Sequence, residues 1–223
     1  MKTVSFPIDG GRASGELALP SVARAPALVI VHEWWGVNDD VRRIARRFAD
    51  EGYVALAVDL YHGQSTTDPA VAMQLSNDLD TGVAMREIAG AVAFLGAHEA
   101  TNGKVGVTGF CLGGAMALAA AFNVEGLSAA LPFYGNPRAD FVHLDRKTPP
   151  IQGHYAKNDA FIDVTKTRAI GEGVRSHGGA FELFEYDAGH AFMREADPSA
   201  YHEPSAKLAW ERAFAFLRKT LAT

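Results

Sequence analysis

The chain has 223 residues, 48% of them hydrophobic, and a formal net charge of −5. This length and apolar content suit one α/β domain spanning residues 1–223, and the acidic balance lacks the basic field that binding nucleic acid requires. A single cysteine excludes an internal disulfide, no stretch approaches the ~18 consecutive apolar residues of a membrane span, and the first residues lack a signal-peptide core; a cytoplasmic protein without a membrane partner is expected.

In chain order, Val4–Phe6 and Gly15–Leu19 read as a short antiparallel pair. Ala27–Val31 is a continuous apolar strand of the kind buried on both faces. Asn38 is a good N-cap for a helix carrying Val41, Ile44, Ala45 and Phe48 at helical spacing, with Arg42, Arg43, Arg46 and Arg47 on its outer face. Tyr53–Val58 is the next strand. The stretch from Gln64 to Asp80 is polar and weakly periodic, compatible with a short helix or a loop over a site. A helix from Val83 to Leu95 precedes the strand Val105–Thr108, and a helix from Leu112 to Phe122 follows it. Leu127–Tyr134, Ile151–Tyr155 and Phe181–Tyr186 are further strands, with a helix over Val164–Ser176 and a last one over Ser205–Leu221. Alternating strands and helices predict a mostly parallel central sheet with helices on both faces.

Chemistry concentrates at Gly109-Phe110-Cys111-Leu112-Gly113-Gly114. A strand runs into glycine, thiol, glycine and a small-residue helix, the nucleophile-elbow pattern with Cys in the Ser position. A lone cysteine is commonly a buried small hydrophobe, but the flanking glycines and strand-to-helix setting favour a nucleophile. A cysteine nucleophile needs a base, and the base an orienting acid. In the elbow fold, acid and histidine follow in that order, each just past a strand. Asp159 follows the strand ending at Tyr155, and His190 follows the one ending at Tyr186. Asp163 competes with Asp159 but also suits an N-cap; Asp159 lies nearer the strand end. The oxyanion hole is expected from the backbone N–H groups of Leu112 and Trp34. His32-Glu33-Trp34-Trp35-Gly36 starts like a zinc-binding helix, but Gly36 stands where the second histidine is required, so no metal is expected. Glu33 beside the oxyanion loop is positioned to bond the thiol or pair with an arginine, and Trp34 and Trp35 either wall a pocket or pack in the core.

With His32-Glu33-Trp34-Trp35-Gly36-Val37-Asn38, Asp59-Leu60-Tyr61, Gly103-Lys104-Val105-Gly106, the elbow, Tyr134-Gly135 and Gly189-His190-Ala191-Phe192, the chain resembles the dienelactone hydrolase family over nearly its whole length. The resemblance implies the α/β-hydrolase fold and hydrolysis of cyclic enol-lactones such as carboxymethylenebutenolide. It implies Cys111, Asp159 and His190 as the triad, Glu33 as the residue that activates the thiol, Arg194 as the arginine for the substrate carboxylate, and Tyr134 as a pocket residue. The family's lactone hydrolases carry a second arginine after the second long strand; no arginine occurs here between Arg47 and Arg86, so one arm of a two-arginine clamp is missing.

The expected activity is therefore hydrolysis of a small-molecule ester or lactone through an acyl-cysteine, with no cofactor, by a monomer or homodimer. A broad carboxylesterase and a ligand-binding homologue without turnover are the competing readings. A dinucleotide-binding oxidoreductase does not fit, because the glycine run departs from G-x-G-x-x-G and no acidic ribose ligand follows the next strand.

Overall fold

The computed structural model describes residues 1–221. Eight strands form one sheet in the order β1-β2-β4-β3-β5-β6-β7-β8. The strands β1 (Lys2–Ile8) and β2 (Gly11–Ala18) form an antiparallel hairpin, and β2 also runs antiparallel to β4 (Val54–Val58). All other pairings, through β3 (Ala25–Val31), β5 (Thr101–Phe110), β6 (Leu127–Phe133), β7 (Ile151–Ala156) and β8 (Phe181–Tyr186), are parallel. Parallel strands need crossovers, and the helical periodicities supply them. Because every residue of β3 beyond Pro26 and all of β4 are buried, these strands read as unbroken apolar runs rather than alternating ones.

The helices divide between two faces. On one face, α1 (Asp39–Asp50) and α6 (Glu203–Leu221) bury Val41, Ala45, Phe48, Trp210 and Phe214 against the sheet. On the other, α3 (Thr81–Gly96), α4 (Leu112–Asn123) and α5 (Val164–Ser176) bury Ile88, Val92, Leu118 and Val174. Asn38 caps α1, its side chain accepting from the N–H groups of Asp40 and Val41 at 3.0 and 3.2 Å. The arginines of α1 do more than meet solvent: Arg42 makes a two-pronged pair with Glu16 of β2, and Arg47 lies over the Trp210 ring while pairing with Glu195. The ambiguous stretch resolves into α2 (Pro69–Asp78), capped by Asp68 and starting with proline, a residue suited to a first helical turn. Its weak periodicity has a physical cause: only Ala72 is buried, and Val71 and Met73 are exposed.

After β3 the chain crosses to β4 on one side; after β4 it returns to β5 on the other. That reversal opens a crevice at the carboxyl ends of β3 and β5, the place where open parallel sheets gather ligand-binding side chains.

Candidate active site

Cys111 stands at that reversal, between β5 and α4, with φ 55° and ψ −116°. A non-glycine residue at positive φ is strained, and here the surrounding backbone imposes it. The Cys111 N–H donates to the Phe133 carbonyl at 3.1 Å, and its carbonyl accepts from the Ala115 N–H at 3.0 Å. The strand and helix meet so closely that a Cβ on Gly109 would lie 2.2 Å from the Gly113 carbonyl oxygen, and one on Gly113 2.2 Å from that of Val31. Only glycine fits either position. No side chain caps α4, so its first-turn N–H groups, Leu112 among them, face the sulfur side.

His190 and Asp159 complete a hydrogen-bonded chain. His190 Nε2 lies 3.2 Å from Cys111 Sγ, and Nδ1 lies 2.8 Å from Asp159 Oδ2. The other carboxylate oxygen accepts from the Phe161 and Ile162 N–H groups, both at 2.9 Å. Asp163 is turned away and caps α5, accepting from the Thr165 N–H at 2.9 Å. Burial works against charge on both groups, but their mutual hydrogen bond prevails. Desolvation draws the His190 pKa down, yet hydrogen bonds to Asp159 and Cys111 outweigh it and lift it to about 10. Desolvation raises the Asp159 carboxyl, yet the bond from His190 and the two backbone N–H donors leave it below the usual range. Tyr134, itself fully buried, packs edge-on against the His190 ring at 5.3 Å; Phe161, 80% exposed, does the same from outside at 5.2 Å.

The loop expected to carry one oxyanion N–H leaves β3 at His32. Its ring is fully buried, with Nδ1 2.6 Å from the Glu33 carbonyl and Nε2 accepting from the Leu60 N–H at 3.2 Å. Because Nε2 accepts, Nδ1 carries the proton and the ring is neutral; burial, which lowers its pKa, keeps it so. Tyr61 packs on that ring at 4.6 Å. A Gly36 N–H bond to the same Glu33 carbonyl closes a turn around Trp34 and Trp35. The Thr66 N–H donates to Trp35 O at 3.0 Å, tying the segment that enters α2 to this loop.

Glu33 is buried, and burial pushes its pKa up to about 7 against the pull of Arg194 and His190. Its carboxylate makes no hydrogen bond to Sγ among the described residues; its near partner is Arg194 Nε, 3.7 Å from Oε2. Arg194 lies over the Trp35 ring at 4.8 Å and faces two further carboxylates, Asp40 at 3.5 Å and Asp197 at 3.7 Å. Trp34 meets Trp35 edge-on at 4.9 Å. Glu33 and Arg194 also wall an open pocket of about 340 Å³ between α1 and α6, lined as well by Ile30, Val41, Met193 and Trp210. Among the described residues, no three His, Cys, Asp or Glu side chains are grouped to hold a metal.

Four residues of this site escaped the sequence reading: His32 as a clamp, Phe161, Asp40 and Asp197. Only Asp197, three positions from Arg194, carried a local signal.

Three comparisons bear on identity. Residues 14–221 match the model of the dienelactone hydrolase family. The chain is 33% identical over 217 residues to a carboxymethylenebutenolidase of Pseudomonas sp. strain P51, covering 89% of this chain and 88% of the relative. It is 31% identical over 227 residues to the protein usf of Aquifex pyrophilus, covering 98% of each. In fold it matches the crystal structure of a dienelactone hydrolase-like promiscuous phosphotriesterase from metagenomic libraries, with a TM-score of 0.88 at 22% identity over 99% of this chain and 98% of the other. With a cysteine elbow at the sheet's reversal point and a family match that runs nearly end to end, this chain belongs to the dienelactone hydrolase family.

Proposed function

We propose that this protein hydrolyses carboxylic esters or lactones through an acyl-cysteine, with Cys111 as nucleophile, His190 as proton carrier and Asp159 as its orienting acid. The observation that carries the reading is the relay itself: 3.2 Å from sulfur to imidazole and 2.8 Å from imidazole to carboxylate, spanning three segments distant in sequence.

The raised basicity of His190 suits it to hold the proton released by Cys111 as the sulfur attacks. The thiolate attacks the carbonyl carbon, and the C=O electron pair moves onto oxygen. The N–H groups of Leu112 and Trp34 stabilise that oxyanion, the first from the open N-terminus of α4 and the second from the turn held by His32. Collapse expels the alkoxide, which takes the His190 proton and leaves a thioester. Neutral His190 then removes a proton from water, the resulting hydroxide attacks the thioester, and thiolate departs as the acid is released. Asp159 stays ionised throughout and fixes the ring orientation. Tyr134 backs the imidazole, and Trp34 and Trp35 pack edge to face in the loop after β3.

The test is hydrolysis of p-nitrophenyl acetate with mass measurement of rapidly quenched enzyme. Wild type should carry an acetyl group on Cys111 during turnover. Cys111→Ala should lose at least a thousandfold in rate while keeping its thermal transition. A Cys111→Ala variant with wild-type turnover would overturn the assignment.

A further inference from the structure

We infer that the Tyr61 hydroxyl is a further hydrogen-bond donor of the active site, held for the substrate oxygen that becomes negatively charged when Cys111 attacks. This inference rests on the reading of Cys111 as the nucleophile and adds a catalytic side chain to the expected backbone donors.

Tyr61 lies in the turn after β4, and two backbone contacts fix it there. Its N–H donates to Asp59 Oδ1 at 3.1 Å, and its carbonyl accepts from the Gln64 N–H at 3.1 Å. The residue is 4% exposed, and its ring packs at 4.6 Å on His32, the side chain that holds the turn around Trp34. Its Oη is buried and has no hydrogen-bond partner among the described residues. Ser76 of α2 approaches the hydroxyl and favours its ionised form, but without normal hydrogen-bond geometry. Other buried tyrosines are matched: Tyr155 donates to the Gly135 carbonyl at 2.7 Å, and Tyr186 Oη lies 2.7 Å from His154 Nδ1. Buried hydroxyls are normally paired, and an unpaired one calls for a reason, since phenylalanine would fill the same space without the desolvation cost.

The sheet order decides which side of the sulfur Tyr61 serves. β5 leads into Cys111; β3 and then β4 lie on one side of it, and β6, β7 and β8 on the other. Asp159 and His190 come from the β7 and β8 flank, whereas Tyr61 shares the flank of the loop after β3, where the oxyanion is expected. Burial, and with it the charge of Cys111, raises the Tyr61 pKa above the ordinary tyrosine value, so the group keeps its proton and acts as a donor rather than a base. The coupling to Cys111 also puts the hydroxyl within electrostatic reach of the nucleophile. As sulfur bonds to the carbonyl carbon, the C=O electron pair moves onto oxygen, and Tyr61 donates a hydrogen bond to that oxygen without giving up its proton. When the pair returns and the leaving group departs, the hydroxyl is released unchanged. A donor without a partner in the free enzyme gains its bond as charge develops, which stabilises the transition state selectively.

Tyr61→Phe and Ser76→Ala test this beside wild type in three measurements on the intact protein: hydrolysis of p-nitrophenyl acetate, thermal unfolding, and binding of phenethyl trifluoromethyl ketone followed by fluorine NMR. The ketone needs no turnover. The Cys111 sulfur bonds to its carbonyl carbon, the thiol proton passes to His190, and the ketone oxygen takes the negative charge. Tyr61→Phe should lower kcat about tenfold to a hundredfold with KM little changed, and should weaken the ketone adduct by a similar factor. Its Tm should be unchanged or higher, because an unpaired buried hydroxyl has been removed. Ser76→Ala should match wild type in all three. Wild-type kinetics and adduct strength in Tyr61→Phe would overturn the inference. So would an equal loss in Ser76→Ala, which would make the hydroxyl a tie to α2, or a lower Tm in Tyr61→Phe, which would make it a bond of the folded state. A wild type that hydrolyses no ester, yet binds the ketone more tightly than Tyr61→Phe does, would overturn the hydrolase reading and leave the donor standing; a wild type that does neither would overturn both.

Discussion

Replacing His32 by Phe isolates what holds the oxyanion loop. The ring keeps its size and its packing on Tyr61, but both hydrogen bonds are lost. The Glu33 carbonyl retains the Gly36 N–H at 3.3 Å, so its loss is one net hydrogen bond, about 1 kcal/mol. The Leu60 N–H is left buried with no acceptor, at about 1–3 kcal/mol. The sum, about 2–4 kcal/mol, corresponds to a fall in Tm of roughly 5–15 °C for a chain of this size. Catalysis should fall further than binding: in the proposed mechanism the Trp34 N–H serves the oxyanion only after the carbonyl is attacked, so kcat should drop about tenfold to a hundredfold with KM little changed. Stopped-flow and steady-state kinetics on p-nitrophenyl acetate, alongside thermal unfolding, read both effects. His32→Gln, which keeps a donor and an acceptor, should recover most of each. A His32→Phe protein with lower Tm but unchanged kcat would refute the positioning role, and an unchanged Tm would refute the hydrogen-bond accounting.

Other outcomes follow from the same geometry. Asp159→Asn should cost kcat roughly a thousandfold or more, because the imidazole loses the acceptor that orients it; a loss under tenfold would remove Asp159 from the relay. Asp159→Asn should also lower the His190 pKa from about 10, because the hydrogen bond to Asp159 helps to lift it, and an imidazole that titrates unchanged by NMR would count against that bond. The raised His190 pKa also means that its contribution to stability is complete below about pH 6.5 and fades as pH rises toward 10, visible as a falling Tm in alkaline buffer. Glu33 acts in the same direction at lower pH: its folded pKa near 7 exceeds the ordinary carboxyl value, so the folded state holds a proton that the unfolded state releases, and stability declines from about pH 4.5 to 7. Glu33→Gln should flatten that decline in a Tm-versus-pH series, and parallel curves would count against a buried, late-ionising Glu33. Gly113→Ala should lower stability by at least about 1–3 kcal/mol and depress activity, because its methyl would meet the Val31 and His32 carbonyl oxygens at 2.2 and 2.6 Å; wild-type behaviour would show that the elbow can relax.

The strand-helix alternation was legible in the chain because β3, β4 and β6 are mostly apolar runs punctuated by turn residues. Cys111, Asp159 and His190 could be found for a related reason: each lies within four residues of a strand's end, and parallel strands deliver their carboxyl ends to one edge. The surroundings of Arg194 could not be found this way. Asp40 reaches it from α1, more than 150 positions earlier, and nothing in local spacing links the two. His32 reads as half of a metal motif until its two backbone partners, one of them 28 residues away, are visible. α2 stayed ambiguous because it buries a single alanine, and periodicity reports burial. Phe161 was silent because an exposed aromatic in a turn has no pattern to betray it.

The close backbone approach at the elbow divides the molecule into a part that evolution must leave alone and a part it is free to rewrite. Gly109 and Gly113 permit no added atom, so the floor beneath the sulfur is fixed in both shape and sequence. Diversity in what the protein accepts must then enter through side chains around the relay, such as Phe161 against His190. Libraries aimed at new substrates belong on that perimeter, where a changed side chain alters selectivity without disturbing the machinery it surrounds.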